Sequence, residues 1–349
     1  MQVFRFKHGF PAGLFLLVLC IFLSPVHHAA AQGNNLNTLV LTTPGTVYDG
    51  EAFVVKASAA GATRFQFEFR GKKVVAQALP VNQNAAQSDA ANWPEAELLL
   101  AIPLDYKGKS EVIRCTAYGP DATERVTEST VTIVRKKYPE QQLTVEPKYV
   151  APPASETARI NRERELSGKA LGTISPVRYW TLPFKRPVPG IVTGQYGERR
   201  VFNGVPKNPH KGVDFRGATG TPIYAAATGK VVLAGGFYYA GNNVVLDHGL
   251  GTLTHYMHLS EIKVVEGQMV ERGELIGLVG STGRVTGPHL HLGLTVLGTS
   301  INILPFLEEP PAKSGQQAAP KGAASSAPAP APSPAPKRAQ GQASGTGGK

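Results

Sequence analysis

The sequence predicts an all-β protein built from two domains. Short runs in which apolar and polar residues alternate occur along much of the chain, and this period of two is typical of strands with one buried face. The 349 residues include 38 glycines and 28 prolines, which indicates many turns. A chain of this length is able to bury two cores, and no run of helical period in the second half is long enough to cover a sheet.

Residues 1–31 are predicted to be a secretory signal. Arg5, Lys7 and His8 form a basic start, an apolar stretch follows, and three consecutive alanines supply small residues for cleavage before Gln32. The apolar stretch is shorter than the ~20 residues that a membrane span needs, which favours a cleaved signal over an uncleaved anchor. The predicted location of the mature protein is the periplasm or cell envelope.

One cysteine remains after the predicted cleavage. Cys115 therefore has no partner for an intramolecular disulfide, and its strand-like surroundings predict a buried structural thiol rather than a nucleophile. A lipoprotein anchor through Cys20 is disfavoured, because Leu19 stands where a small residue is expected.

Residues 35–137 are predicted to form an immunoglobulin-like β-sandwich. Phe65, Phe67 and Phe69 alternate with polar residues, and about seven such runs follow one another with turn residues between them. No catalytic group of residues appears in this segment, so a spacer, a binding module and a lid all remain open.

Two segments are predicted to lie outside the β domains. Residues 138–175 form a connector with an extended start and a short charged helix from Ser155 to about Ser167, capped by Ser155. Residues 309–349 are a disordered tail, because a sequence of Ala, Pro, Ser, Gly and Lys buries too little apolar surface to fold.

The net charge of +11 is unevenly distributed. The tail from residue 310 onward holds five Lys or Arg and no acid, whereas residues 35–153 hold thirteen basic and thirteen acidic residues. No nucleic-acid partner is predicted, since no ordered basic face or recognition motif occurs. A weak attraction of the basic tail to an anionic cell surface is expected instead. Nothing in the sequence predicts the oligomeric state.

Residues 176–308 are predicted to form an antiparallel β domain that carries a cluster of histidines. Segment 247–251 has the character of a hairpin tip between two strands. Six of the nine histidines in the chain fall between His210 and His291. This clustering within a strand-rich segment indicates a metal or proton-transfer site.

The parity of the strands predicts which side chains share a groove. In a strand, alternate residues lie on one face. Between His289 and Val296 the alternate leucines form the core side, so His289 and His291 lie on the other. His210 and Asp214 likewise have the parity opposite to their apolar neighbours. Two such strands side by side would bring these four polar residues together.

Two imidazoles and one carboxylate suit a catalytic zinc ion, which typically takes three protein ligands and keeps one open position. Zinc lowers the pKa of its water to ~7, and a spare histidine nearby would accept the proton. The His-x-x-x-Asp motif of His210 and Asp214, or the His-x-His motif of His289 and His291, is by itself more often structural than metal-binding. Their occurrence together, with a further histidine at His258, favours the metal site.

Three motifs make this region recognisable. They are Pro209–Phe215 (PHKGVDF), Tyr256–Ser260 (YMHLS) and Gly280–His291 (GSTGRVTGPHLH). In this order they resemble the motifs of the lysostaphin/LytM-type zinc metalloendopeptidases, a peptidoglycan hydrolase family, over about residues 190–306. The resemblance implies a LytM-type (duplicated hybrid-motif) antiparallel β metallopeptidase domain with a groove for peptidoglycan stem peptides or cross-bridges.

The resemblance also implies roles for single residues. By position, His210, Asp214 and His291 would bind one Zn²⁺ ion, and His258 and His289 would be the catalytic pair. The sequence leaves open which of the two histidines is the general base.

Five further residues also receive predictions. Tyr196 is a candidate for a tyrosine beside the oxyanion, and Arg199 and Asn203 are candidates for the groove lining. His248, at a predicted turn, and His255, expected to face the core side or an edge, are predicted to be structural only.

The leading functional hypothesis is a secreted zinc endopeptidase that hydrolyses peptidoglycan cross-links, with D,D-endopeptidase activity the favoured form. The alternative is a non-catalytic wall-binding regulator that activates an amidase. All five motif positions are filled, which favours the enzyme. A lipoyl- or biotin-type carrier domain does not fit, because neither Lys230 nor Lys263 lies in a suitable hairpin tip.

Overall fold

The structure, a computed structural model, describes residue 36, residues 38–79 and residues 93–309. The predicted signal and residues 310–349 of the predicted tail lie outside the described residues. The described chain is almost entirely β, which confirms the predicted fold class. Within it, no helix is both long enough and apolar enough to cross a bilayer.

The amino-terminal part consists of two sheets that share a core. The described residues of segment 35–137 form eight strands: β1 (Leu39–Thr42), β2 (Thr46–Tyr48), β3 (Ala52–Ala59), β4 (Arg64–Phe69), β5 (Lys72–Gln77), β6 (Glu95–Ala101), β7 (Ser110–Tyr118) and β8 (Glu124–Val134). One sheet has the order β1-β3-β6 and the other β2-β8-β7-β4-β5. Phe65, Phe67 and Phe69 on β4 are buried, as their alternation predicted. A two-sheet arrangement is compatible with the immunoglobulin-like assignment, which stays a prediction.

Cys115 lies on β7 in this core, with no accessible surface. Burial raises the pKa of its thiol to about 12, so the thiolate is scarce at neutral pH. This agrees with a structural thiol.

The connector contains more structure than the sequence suggested. It holds β9 (Glu140–Leu143), α1 (Pro147–Val150), a 3-10 turn (Ala154–Glu156) and α2 (Thr157–Leu171). The predicted cap was wrong: Ser155 lies inside the 3-10 turn, and Glu156 occupies the cap position without a side-chain hydrogen bond. The helix also runs to Leu171 rather than to about Ser167. Its last turn is extended because Ala170 and Leu171 bury apolar surface against the second domain.

The carboxy-terminal domain has twelve strands within the described residues: β10 (Val192–Gly194), β11 (Arg199–Phe202), β12 (Val205–Pro206), β13 (Val213–Arg216), β14 (Pro222–Tyr224), β15 (Gly229–Phe237), β16 (Gly241–Asp247), β17 (Thr252–Ile262), β18 (Met269–Val270), β19 (Leu275–Val279), β20 (His289–Val296) and β21 (Thr299–Ile301). Seven of them run in the order β10-β13-β20-β17-β16-β15-β18, and β14, β19 and β21 join the same sheet at its sides. The pairing of β16 with β17 confirms the hairpin predicted at residues 247–251.

The two faces of β20 are covered by different parts of the molecule. Its leucines at 290, 292 and 294 have no accessible surface and belong to the main core. Part of the opposite face of the sheet is covered by α2, where Ala170 packs into a small cluster with Leu233, Val245 and Leu253. A separate sheet, β12-β11-β9, ties the connector to the domain. The connector is therefore attached beside the face that carries the histidines.

Candidate metal centre

Strands β13 and β20 pair in the register that places the predicted polar residues together. Asp214 lies directly opposite His291 in this antiparallel pair. Directly opposite residues in a sheet point to the same face. His210 precedes β13, and its backbone N–H donates to Glu198 O (2.8 Å), which fixes the loop that carries it.

Gly212 allows the two strands to carry these side chains. A Cβ atom at this position would lie 2.5 Å from His291 Nε2 and 2.6 Å from Leu292 O. The second of these is a backbone atom that cannot turn aside. The sequence His-Lys-Gly-Val-Asp therefore needs a residue without a side chain at its centre.

Three side-chain atoms form a nearly equilateral triangle. His210 Nε2 lies 2.9 Å from His291 Nδ1 and 3.0 Å from Asp214 Oδ1, and His291 Nδ1 lies 2.9 Å from the same oxygen. All three residues are buried. Tetrahedral zinc ligands at ~2.0–2.1 Å from the ion are about 3.3 Å apart, so this donor set fits zinc after a shift of a few tenths of an ångström.

The outer hydrogen bonds present the correct atoms to a cation. His210 Nδ1 donates to the carbonyl of Gln195 (2.8 Å), which leaves Nε2 as the lone-pair atom inside the triangle. Burial, the largest cause, lowers the pKa of His291 to about 4. Neutral imidazoles are the form that binds a metal.

Asp214 is held by Arg200 from outside the triangle. Arg200 Nη2 donates to Asp214 Oδ2 at 2.5 Å, while Oδ1 faces both histidines. Burial opposes ionisation of Asp214, but the two imidazole rings that face it, His210 and His291, outweigh burial and hold the pKa of the carboxyl well below its usual range. The carboxylate is thus ionised, with one oxygen directed inward and the other tied to a guanidinium.

His258 reaches the groove through an irregularity in β17. Strand parity would place it with Tyr256, which is fully buried in the core. Instead the register between β16 and β17 shifts near this point, and His258 has a φ of 68°. Such bulges redirect a side chain at the cost of local backbone strain. The ring is turned towards His289, with 4.9 Å between the ring centroids.

His258 and His289 are oriented in the same way. Each donates its Nδ1–H to a backbone carbonyl, that of Thr282 (2.9 Å) for His258 and that of Gly287 (2.8 Å) for His289. The Nε2 atom of each ring is therefore a proton acceptor. Burial, followed by the charges of neighbouring histidines, lowers the pKa of His258 well below its usual range. His289 Nε2 lies 3.7 Å from Asp214 Oδ1, beside the triangle.

Two cavities adjoin the cluster. The first, of about 370 Å³, is lined by His258 and His291 and by residues of α2. The second, of about 250 Å³, is lined by Asp214 and His289. Arg200 and Arg284 line both cavities, so these two side chains separate them.

The predicted groove residues lie elsewhere. Tyr196 is buried, donates its hydroxyl to Ser300 O (2.7 Å) and lines neither cavity. Arg199 forms an exposed ion pair with Asp105, and Asn203 bonds the backbone of Val145. The side chains of β11 that face the cluster are those of Arg200 and Phe202. The predicted lining residues, Arg199 and Asn203, are each one position away from them.

The residues that do line the groove include several without a predicted role. They are Arg200 and Phe202 on β11, Tyr239 after β15, and Arg284 before β20. The alternation of β11 would have distinguished Arg200 from Arg199 only if the buried face of that strand had been known. Arg284 stands inside the Gly280–His291 motif, which was its one signal.

His248 and His255 differ from each other. His248 is fully buried and bonds Thr228 O (2.8 Å) and Thr254 Oγ1 (2.7 Å), which agrees with a structural role. The expected orientation of His255 was wrong. It pairs across β17 and β20 with Gly293, shares the face of His291 and lines the first cavity. Its Nε2 is hydrogen-bonded to Asn243 Oδ1 (2.9 Å), which fixes the ring in the floor of the groove.

Residues 208–303 match the profile of Peptidase family M23. This part of the chain is an M23 peptidase domain. The matched range contains the triangle of His210, Asp214 and His291 together with His258 and His289.

Curated relatives match the M23 domain alone. The chain is 52% identical over 96 residues to the peptidoglycan DD-endopeptidase ShyA of Vibrio cholerae, covering 28% of this chain and 22% of that protein. It is 44% identical over 93 residues to the DD-carboxypeptidase/endopeptidase Mpg of Neisseria meningitidis, covering 27% of this chain and 21% of that protein. The chain thus spans about a fifth of the length of the curated relatives it matches.

A solved structure is similar over more of the chain. The crystal structure of a candidate peptidase M23 from Pseudomonas aeruginosa is 26% identical, with a TM-score of 0.53. It covers 74% of this chain and 93% of the other. The similarity of fold therefore extends beyond the M23 domain.

Proposed function

We propose that this chain is an exported zinc endopeptidase that hydrolyses peptide cross-links of peptidoglycan, with D,D-endopeptidase activity. The observation that carries the proposal is the arrangement of five side chains in one groove. Three buried donor atoms lie 2.9–3.0 Å from one another, and two histidines with free Nε2 acceptors stand beside them. The names of the similar ShyA and Mpg proteins support the substrate class.

His210, Asp214 and His291 would hold the zinc ion. When bound, zinc acts as a Lewis acid that activates a water molecule near neutral pH and polarises a substrate carbonyl. The donor set fits this ion because it combines two neutral imidazoles with one ionised carboxylate. Arg200 keeps the second carboxylate oxygen occupied, so that Oδ1 stays directed into the triangle.

His258 and His289 would move the proton. A neutral imidazole accepts the proton of the attacking water at Nε2, and the hydroxyl oxygen forms a bond to the amide carbon. The same imidazole then gives the proton to the departing amine as the carbon–nitrogen bond breaks. The other ring, fixed by its Nδ1–H bond to a carbonyl, lies beside the developing negative charge and stabilises it when protonated. Both rings are fixed by an Nδ1–H bond to a backbone carbonyl, so either one is a candidate for the base.

The location and partners form part of the same proposal. Residues 1–31 would direct export, and the basic tail beyond residue 310 would be attracted weakly to an anionic envelope surface. The substrate would be a peptidoglycan stem peptide or cross-bridge that lies across the two cavities.

The alternative is a wall-binding regulator without activity. It would keep the groove but lack a ligand or a proton acceptor. The fully filled set of five residues favours the enzyme.

Mass analysis of muropeptides released from purified sacculi tests the proposal. The zinc-loaded protein is expected to release products of cross-link hydrolysis. His291→Ala should lose both zinc and activity, whereas His289→Ala should keep zinc and lose turnover. Equal release by wild type and His291→Ala would contradict the zinc-dependent mechanism. No release by either would contradict an enzyme and leave the regulator.

A further inference from the structure

Arg284 places a guanidinium in the groove, and no acidic group in the described part of the chain neutralises it. Its side chain lines both cavities, on either side of the cluster. Among the described residues, no carboxylate lies within ion-pair distance of it. Burial, the largest cause, lowers the pKa of its guanidinium; the Tyr239 hydroxyl raises this pKa, and the charge of Arg200 lowers it further. A partly buried charge without a partner is costly for a fold, which points to a ligand that supplies the missing charge.

Aromatic rings hold this guanidinium in place. Its central carbon lies 4.7 Å from the ring centroid of Phe202 and 4.9 Å from that of Tyr239. The backbone N–H of Arg284 also donates to Tyr239 O (2.9 Å), which ties the loop before β20 to the turn that follows β15. A guanidinium held over aromatic rings still has N–H groups that can donate to a ligand.

The remaining lining of the cavities is cationic. Besides Arg200 and Arg284, basic residues in the two linings are Arg164, Lys211 and Arg216. The acidic residues among the lining are Glu163 and Asp214, and both already have partners. Glu163 accepts from Arg159 and from the backbone of Tyr238, and Asp214 accepts from Arg200. The groove therefore complements an anionic ligand rather than a neutral or basic one.

We infer that Arg284 binds a free carboxylate of the substrate peptide next to the bond that is cut. A carboxylate matches the planar N–H edge of arginine through two parallel hydrogen bonds. Because Arg284 lines the cavities on both sides of the cluster, a carboxylate there would fix the position of the peptide relative to the proposed zinc site. Arg284 is thus a specificity residue, distinct from the metal triangle and the two acceptor histidines. The inference rests on the proposed function and specifies its substrate.

The carboxylate has two sources within a cross-linked peptide, namely the carboxyl terminus and an internal acidic group. The test therefore uses three defined cross-linked dimers. One has all carboxylates free, one is amidated at the carboxyl terminus, and one is amidated at the internal group. Values of kcat/KM are measured for wild type, Arg284→Gln and Arg284→Lys. Arg162→Gln serves as the charge-matched control, because Arg162 is exposed on α2 and lines neither cavity.

Wild type is expected to prefer the free dimer over one of the amidated dimers by about 10- to 100-fold, the usual effect of a hydrogen bond to a charged group. The identity of the disfavoured dimer reveals which carboxylate is bound. Arg284→Gln should process the free dimer and the disfavoured dimer at similar rates. Arg284→Lys should retain a reduced preference for the free dimer, because lysine keeps the charge without the planar edge. Arg162→Gln should behave like wild type.

Calorimetric binding of the same peptides separates this inference from the proposed function. Carboxylate-dependent binding that disappears in folded Arg284→Gln, without hydrolysis by wild type, would support Arg284 and refute the enzyme. Hydrolysis by wild type with equal use of all three dimers would overturn the role of Arg284 and leave the enzyme intact. Preserved discrimination in Arg284→Gln, with an unchanged melting temperature, would overturn it as well.

Discussion

Replacing Arg200 by methionine is expected to weaken zinc binding without unfolding the domain. The bond between Arg200 and Asp214 is shielded, with 16% of the arginine side chain and 11% of the aspartate side chain exposed. Methionine preserves much of the apolar stem and removes the guanidinium. Asp214 Oδ2 would then lose its partner, and the carboxylate would be oriented by His210 and His291 alone.

The expected loss of affinity is about 10- to 100-fold, as for other groups that orient a metal ligand from outside. This corresponds to about 1.4–2.7 kcal/mol of binding free energy. The assay is competition for zinc with a chromophoric chelator at pH 7.5, together with thermal unfolding of the metal-free protein.

Arg199→Met is the matched control for this measurement. Arg199 is the adjacent residue of the same strand, is 49% exposed and pairs with Asp105 away from the cluster. An exposed ion pair contributes little, so this variant should bind zinc within about twofold of wild type. If Arg200→Met also stays within that range while its domain remains folded, Arg200 does not orient the ligand.

Three further outcomes follow from the geometry. Gly212→Ala should abolish zinc binding in equilibrium dialysis, because its Cβ would meet His291 Nε2 and a backbone oxygen, whereas Gly168→Ala, with nothing within 4 Å, should bind normally. The metal-free protein should lose stability to urea as the pH falls below 6.5. Burial holds the folded-state pKa of His248 near 4, so the unfolded chain takes up the proton first, at a cost of about 1.4 kcal/mol per pH unit; a His248→Gln variant whose pH dependence equals that of wild type would refute this. Glu163→Ala should make the connector more sensitive to limited proteolysis, because Glu163 joins Arg159 to the backbone of Tyr238; an unchanged cleavage rate would show that the helix is held by its apolar contacts.

The pairing of β13 with β20 was predictable from the sequence because it depends on strand parity. The leucines between His289 and Val296 define one buried face, and this places His289 and His291 on the other. In the same way, the apolar neighbours of His210 and Asp214 define a buried face and place these two residues on the other face. Local periodicity was therefore sufficient to bring the predicted ligands together.

The orientations of the His258, Arg200 and His255 side chains depended on information that strand parity does not carry. The parity of β17 places His258 in the core, and only the bulge with its positive φ turns the ring into the groove. Arg199 and Arg200 are adjacent, and their faces follow from how β11 pairs with β9 of the connector. His255 shares its parity with Leu253, which suggested the core side. Leu253 is instead buried under α2, on the sheet face that forms the groove, and this contact joins distant segments of the chain.

The connector helix illustrates the same limit. The sequence predicted a short charged helix that ends near Ser167. Burial of Ala170 against the M23 domain extends it to Leu171 and places its side chains along the first cavity. Tertiary packing thus decided both the length of the helix and its relation to the site.

We propose that a water molecule, activated at the cluster of His210, Asp214 and His291, cleaves an amide bond of a peptidoglycan cross-link. Mass spectrometry of a defined cross-linked muropeptide dimer, digested in oxygen-18 water, tests it most directly. The zinc-loaded protein is expected to give two fragments, with one labelled oxygen in the new carboxyl group, and His291→Ala should give neither. An intact dimer after incubation with fully zinc-loaded protein, or labelled cleavage by His291→Ala, would contradict it.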